Sequence, residues 1–315
     1  MMEFDSNYWG IILGGSSGFG LATAQKLAQH GMNLCIVHRD RKGAMPKIVP
    51  HFEALRATGV KVCTYNTNAL STPDMMSVIH DLKEHMGQDG KIRMLLHSIA
   101  LGNLKLLAPQ KTSTFTEHDK IVAQLADAIG IEKTILQEKV DALFREGNVA
   151  LQYIASLPEY SHSEFLQDED FALTVHSMGT SLVSWVQVLF KNKMFAEDAR
   201  ILGLTSEGNE ISWKGYAAVS AAKVALEAVA RAIAVEFAPY GLRANIIQAG
   251  VTDTPALRLI PGNQHIKAAA QNRNPYHRLT TPKDVANFIY LMCLEEASWA
   301  NGNIIRVDGG EHIGG

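Results

Sequence analysis

The sequence has little of what marks several protein classes. Its 315 residues include three cysteines, Cys35, Cys63 and Cys293. They are too few and too scattered for a disulfide framework or a metal cluster. No metal is expected, and a reducing, cytoplasmic setting is the simplest reading. No uninterrupted apolar stretch approaches the ~18 residues of a membrane helix. The segment MMEFDSNYWG has no basic region followed by a long apolar run, so no secretory signal is expected. Positive charge is not in excess: Lys plus Arg is 29, Asp plus Glu is 32, and the formal net charge is −3. That balance argues against a nucleic-acid binder, because phosphate contacts need a basic face. Internal repeats and low-complexity segments are absent too. What remains is 47% hydrophobic and 19% charged, the balance of a soluble globular chain with a sizeable core. Its length allows one large domain or two ordinary ones.

The opening unit, YWGIILGGSSGFGLATAQKLAQHGMNLCIVHRD, sets the pattern. A short apolar run (Trp9–Leu13) meets a Gly-rich turn. Leu21, Ala24, Leu27 and Ala28 then share one helical face, Gly31 stops the helix, and Leu34–Val37 forms a second apolar run. The alternation continues. Further strands are predicted at Val60–Thr64, Met94–His97, Arg200–Leu204, Arg243–Ile247 and Ile304–Val307, with helices near 44–57, 73–86, 168–194, 215–238 and 282–296. Strands separated by helices imply right-handed crossovers and a parallel sheet covered on both faces. The expected fold is therefore α/β: one doubly wound Rossmann-type domain over 1–315 with a seven-stranded parallel sheet.

One interval breaks the rhythm. Residues 110–164 contain no convincing strand. A helix is predicted from near Thr116, with Ile121, Leu125 and Ile129 spaced helically and Gly130 ending it. A second follows, carrying Ile131, Ile135, Val140, Leu143 and Phe144. So long a structureless loop is rare inside a compact domain, and the interval reads as a helical insertion after the fourth strand. It could lid a substrate channel, build an oligomer contact or bind a partner.

GGSSGFG supplies Gly14, Gly18 and Gly20 between a strand and a helix. Glycines let the backbone approach a pyrophosphate closely, and the helix N-terminus offers free N–H groups. The strand–turn–helix–strand context makes the string informative. After the second strand comes VHRDRK. Arg39 and Arg41 there favour a 2′-phosphate, hence NADPH, while Asp40 keeps NADH open.

The glycines, Tyr216 and Lys223 in KGYAAVSAAK, and the ending NGNIIRVDGG together resemble the short-chain dehydrogenase/reductase family. The resemblance covers nearly the whole chain except the insertion. The stretch from Lys214 to Leu257 is most similar to the enoyl-acyl-carrier-protein reductases, in particular the NADPH-dependent type III branch, which places six residues between Tyr and Lys. LLHSIA is similar to the corresponding segment of type I enoyl reductases. Two departures stand out: Leu13 replaces the usual Thr before the first glycine, and Met178 falls where ketoreductases carry an Asn. Without that Asn the proton relay of a ketoreductase is not provided for.

The resemblance implies a cofactor site of Gly14, Ser16, Ser17, Gly18, Phe19, Gly20, Arg39, Arg41, Asn68, Ser98, Ile99, Ala100, Lys223, Gly250, Thr252 and Thr254. Thr252 would position the carboxamide and Thr254 the pyrophosphate. It also implies a homo-oligomer (dimer or tetramer), and an acyl thioester substrate on coenzyme A or acyl-carrier protein, in fatty acid or related acyl synthesis. Catalytic residues would be Tyr216, Lys223 and Ser206, the last seventeen positions before the lysine, with Thr205 as a neighbouring alternative. Ala256, Leu257, Leu259 and Ile260 suit a flap over an acyl chain.

Tyr216 stands two helical turns from Lys223, about 10 Å along the axis. In an enoyl thioester the hydride goes to Cβ and charge develops on the more distant oxygen, so a displaced donor fits a displaced centre. A nearby ammonium is expected to lower the phenol pKa. Against this reading stand a 3-ketoacyl or 2,4-dienoyl reductase of the same family, and a catalytically silent NADP(H)-binding sensor or scaffold. His97 reads as a packed residue at a strand end. Lys105, Lys191 and Lys193 could meet an acidic carrier protein, but a solvated face is the simpler reading.

Overall fold

The structure, a computed structural model, describes residues 4–109, 117–161 and 164–314. One sheet holds β1 (Tyr8–Leu13), β2 (Asn33–His38), β3 (Val62–Asn66), β4 (Lys91–His97), β5 (Phe195–Ser206), β6 (Arg243–Ala249) and β7 (Ile304–Val307). The helices are α1 (Gly18–Gln29), α2 (Met45–Arg56), α3 (Thr72–Met86), α4 (Glu117–Ile129), α5 (Lys133–Arg145), α6 (Asp168–Val175), α7 (Ser181–Lys191), α8 (Ala217–Glu236), α9 (Pro255–Arg258), α10 (Asn263–Arg273) and α11 (Pro282–Met292). The strand order is β3-β2-β1-β4-β5-β6-β7 and every pairing is parallel. The seven-stranded parallel sheet and its helical covers are thus as expected.

Two cores explain the apolar runs. Ile11, Leu13, Cys35 and Val37 face α3, α7 and α8, while Ile12, Leu34 and Ile36 face α1, α2 and α11. Successive residues of a strand point to opposite faces, so a strand covered on both sides must be apolar throughout. β1 lies between β2 and β4, where the strand order reverses. A crevice opens there beyond the carboxyl ends of the strands.

Several boundaries differ from the expectation. β3 starts two residues later, because Gly59 turns at φ 93° and pairing with β2 begins at Leu34↔Val62. The predicted 168–194 helix is α6 and α7 joined by a π-turn at His176–Thr180. The helix predicted from 215 begins at Ala217. Gly215 (φ 74°) turns the chain, and Tyr216 is the non-helical N-cap at φ −107°, ψ 4°.

The insertion is helical. Its two ends meet where Leu106 bridges Phe165 and Leu166 N–H donates to Leu106 O at 2.9 Å. The expected start near Thr116 lies outside the described residues. Its buried face also differs from the expectation: Val122 and Ala126 of α4 pack with Leu136, Val140 and Phe144 of α5, whereas Ile121, Leu125, Ile129, Ile135 and Leu143 are exposed. Both faces of α4 carry apolar residues, so spacing alone does not choose between them. The Val122–Ala126 face is the one packed with α5, and Ala268 of α10 joins the same cluster.

Candidate active site

A cavity of about 250 Å³ occupies the crevice at the carboxyl edge of the sheet. One wall is the glycine turn. Gly14 sits at φ 89°, and a Cβ there would lie 2.5 Å from Ser98 O; a Cβ on Gly20 would overlap Gly14 O. Only glycine lets β1, the β4 end and α1 converge this closely. The first turn of α1 holds no acidic residue, and its N-cap Ser17 makes no side-chain cap bond. Its N–H groups are therefore left for an anion, and a pyrophosphate fits this cradle. Gly14, Ser17, Gly18, Phe19, Ser98, Ile99 and Ala100 line the cavity together with Gly250, Thr252 and Thr254. Thr254 faces the glycine turn, its methyl 3.5 Å from where a Gly18 Cβ would stand.

Other expected cofactor residues lie outside the cavity wall. Asn68 follows β3, and its side-chain oxygen accepts from Leu70 N–H at 3.2 Å. Arg39 and Arg41 are exposed past the end of β2. Asp40 is held between them: its carboxylate meets His38 Nδ1 at 2.8 Å, and its N–H donates to Asn66 Oδ1 at 2.9 Å.

The opposite wall carries Tyr216, Val219, Lys223, Ser206, Trp213 and Met178. Lys223 is buried and donates to Leu204 O at 2.8 Å. Burial lowers its pKa from 10.5 to about 8, opposed by Glu227 one turn along α8. The expected lowering of Tyr216 by Lys223 is not found. Burial raises the Tyr216 pKa, and the one group that lowers it is the Ser206 hydroxyl. That hydroxyl approaches the phenol, yet its geometry falls short of a formed hydrogen bond with any described group. Thr205, by contrast, donates to Glu227 Oε1 at 2.6 Å, and Asn209 donates to the same oxygen at 2.8 Å. Of the two neighbouring hydroxyls, Ser206 is the one left for a ligand.

The Tyr216 ring rests on Gly208, where a Cβ would overlap it. Ser220 Oγ donates to Gly208 O and fixes that turn. Met178, Val219 and Ala222 form a small apolar cluster against Tyr216 and Leu104. The π-turn brings Gly179 so close to α8 that a Cβ would lie 2.7 Å from Ala222 O. π-turns concentrate at functional sites because they re-aim side chains; here Met178 is aimed into the cavity. No periodic signal announced it. His97 is packed, as expected: its Nε2 lies 2.9 Å from Ser181 Oγ, and burial lowers its pKa to about 3.

Ala256, Leu257, Leu259, Ile260 and Ile266 supply the outer wall. The insertion backs it. Phe144 packs edge-on to His265 at 4.9 Å, and Pro158 packs on Gly262. Lys105 is bound to Asp170 at 2.7 Å. Lys191 and Lys193 lie before β5, at the edge away from the cavity. Among the described residues no cluster of three or more His, Cys, Asp or Glu could hold a metal ion, and no helix is long and apolar enough to cross a membrane.

A doubly wound sheet with a phosphate cradle at its switch point defines a dinucleotide-binding α/β protein. Comparison with known proteins narrows the class. A family model described as Enoyl-(Acyl carrier protein) reductase matches residues 132–312, and one described as short chain dehydrogenase matches 9–124. The chain belongs to the short-chain dehydrogenase/reductase family. It is similar to 1-cyclohexenylcarbonyl-CoA reductase of Streptomyces collinus, at 31% identity over 124 residues, 38% of this chain and 44% of that one. It also aligns with the peroxisomal 2,4-dienoyl-CoA reductase of Mus musculus at 23% over 305 residues, 95% and 82% of the two chains. With four other curated relatives the alignments span 41% to 54% of the relative's length. The crystal structure of an Aquifex aeolicus enoyl-[acyl-carrier-protein] reductase (NADH) shares the fold, with TM-score 0.68, 21% identity and coverage of 98% and 97%.

Proposed function

We propose that the protein reduces the C=C bond of an enoyl thioester with NADPH. The observation that carries this reading is the polarity of the wall around Lys223. One turn before the lysine stands Val219, packed on Met178, and the hydroxyls of Tyr216 and Ser206 lie beyond it. An apolar patch beside the lysine suits a carbon–carbon bond. The donors farther along suit the thioester oxygen. A ketone would need its donor where Val219 stands.

Reduced nicotinamide, when bound, supplies the hydride that goes to Cβ of the substrate. The chain's own residues do the rest. The glycine turn and the α1 N-terminus would hold the pyrophosphate, and Lys223 Nζ the ribose. Negative charge then develops on the thioester oxygen, and Tyr216 Oη donates a hydrogen bond to it. Burial keeps that phenol protonated near neutral pH, so it enters as a donor. Ser206 Oγ supplies a second donor, and a proton from solvent completes Cα. Leu257, Leu259 and Ile260 exclude water along the acyl chain. The preference for NADPH is supported by Arg39 and Arg41, which are exposed, while Asp40 is engaged by His38.

The test is NADPH consumption with crotonyl thioesters of coenzyme A and of acyl-carrier protein. Wild-type turnover that falls at least 100-fold in Tyr216→Phe is expected; no wild-type turnover at several chain lengths would sink the reading. The full-length alignment with the mouse reductase favours a 2,4-dienoyl thioester as second substrate class. Product analysis separates the two, since only the first gives a saturated acyl group directly. The sensor or scaffold reading predicts NADPH binding with no turnover of either substrate.

A further inference from the structure

Behind the cavity wall, one guanidinium joins segments that are far apart in sequence. Arg273 ends α10. Its Nη2 lies 2.6 Å from Glu207 Oε1 and 3.4 Å from Glu311 Oε1. Glu207 directly follows Ser206. The Glu311 carboxylate accepts from Val251 N–H through both oxygens, at 3.1 and 3.3 Å. Val251 directly follows Gly250, where a Cβ would stand 2.9 Å from Glu311 Oε2. Gly314 packs against Arg273 O so tightly that a Cβ would overlap it. The C-terminal turn, the end of α10, the Ser206 turn and the loop after β6 are thus clasped at one point.

We propose that Arg273 and Glu311 are positioning residues: they hold the Ser206 turn and the Gly250–Thr254 loop in register, so that the loop can close over a dinucleotide. This rests on the reading of the cavity as a dinucleotide site. It goes beyond that reading by assigning a role to residues that do not line the cavity.

The charges make the clasp pH-sensitive. Two carboxylates share one guanidinium in a buried place. Burial raises the Glu311 pKa to about 7, helped by the charges of Glu207 and Asp308 and opposed by Arg273 and the Val251 N–H. Nearby, His312 and Arg306 both meet Glu210. Above pH 7 the ionised Glu311 makes a charge-assisted bond to Val251; below it the bond is a neutral one. For stability the sign is opposite. The folded state keeps a proton that the unfolded state releases near 4.5, so this group's contribution is full below 4.5 and lost as pH rises through 7. Glu311→Gln lifts that ionisation cost at pH 8, so a looser Gly250–Thr254 loop or weaker dinucleotide binding in the variant there reports positioning rather than lost stability.

The test uses Glu311→Gln and Arg273→Gln in the full chain, with two readouts. One is hydrogen–deuterium exchange of the 246–257 segment at pH 8, which needs no substrate. The other is NADPH affinity by fluorescence between pH 6 and pH 8.5, read as the ratio of wild type to variant so that titration of the 2′-phosphate cancels. Expected are faster exchange in both variants and a ratio that changes about fivefold with a midpoint near 7, the step from a neutral to a charge-assisted hydrogen bond. Unchanged exchange with a flat ratio overturns the proposal. If Arg273→Gln does not fold, Glu311→Gln alone decides. A clasp-dependent profile without thioester reduction leaves the clasp standing and removes the reductase reading. Thioester reduction with flat profiles does the reverse.

Discussion

Replacing Lys223 with Met should make the protein more stable while abolishing its activity. The lysine is buried, and its pKa falls from 10.5 to about 8, a value that already includes the attraction of Glu227. At pH 7 the folded state therefore carries an ammonium that costs about 3 kcal/mol relative to the unfolded chain, since each pKa unit is worth about 1.4 kcal/mol. Met removes that penalty and fills similar space. It also loses the bond to Leu204 O, worth about 1 kcal/mol. The net gain is about 2 kcal/mol. At roughly 2 cal/mol/K of unfolding entropy per residue, a chain of this length gains about 3 °C in Tm.

The pH dependence is the sharper part. The folded pKa is lowered, so the unfolded chain binds more protons between pH 8 and 10.5, and wild-type stability from this group rises with pH across that window. The penalty is full below pH 8 and falls to about 1 kcal/mol by pH 10. Thermal melts of both proteins at pH 7, 8.5 and 10 should show a gap in favour of the variant that closes as pH rises. A variant that melts below wild type at pH 7, or a gap that stays constant to pH 10, would refute the reasoning. NADPH binding by the variant should weaken at every pH.

Three further outcomes follow from the same geometry. Tyr216→Phe keeps the ring on Gly208 and removes only the donor, so kcat should fall by about 10²–10³ with Tm unchanged; steady-state rates and a melt check this. Arg39→Ala should weaken NADPH binding by about tenfold and leave NADH binding unchanged, since one charged hydrogen bond to a phosphate is worth about 1.5 kcal/mol; fluorescence titration with both dinucleotides measures it. Asp198→Asn should destabilise the fold by about 3 kcal/mol at pH 7, because Asp198 serves Arg93, Arg200 and Arg243 at the amino edge of the sheet, and Arg93 and Arg200 are buried. Burial pulls the Asp198 pKa up, but Arg200 and Arg93 lower it overall, so the stability it brings is present above 3.8 and lost as pH falls through its folded value. Denaturation of wild type and variant should therefore converge at low pH.

Much of the fold was readable because its signals are local. Apolar runs alternating with helical periodicity give strands, helices and parallel order, since a strand buried on both faces has no polar side to show. The cradle was readable for the same reason: its glycines, the strand before and the helix after lie within one short segment. The spacing of Tyr216 and Lys223 was legible as a number.

What the sequence could not decide depends on which elements meet. That Thr205 is engaged while Ser206 is not depends on Glu227, about three turns into α8. Tyr216 became an N-cap because Gly215 turns the chain just before it. The buried face of α4 is the one packed with α5 and Ala268 of α10, and both faces of that helix carry apolar residues. Arg273, Glu207 and Glu311 have no shared periodicity and no motif; only the closing of α10 and the C-terminal turn onto the sheet brings them together. Periodicity reports what each segment buries, whereas a site is made by segments meeting, and that is fixed by packing.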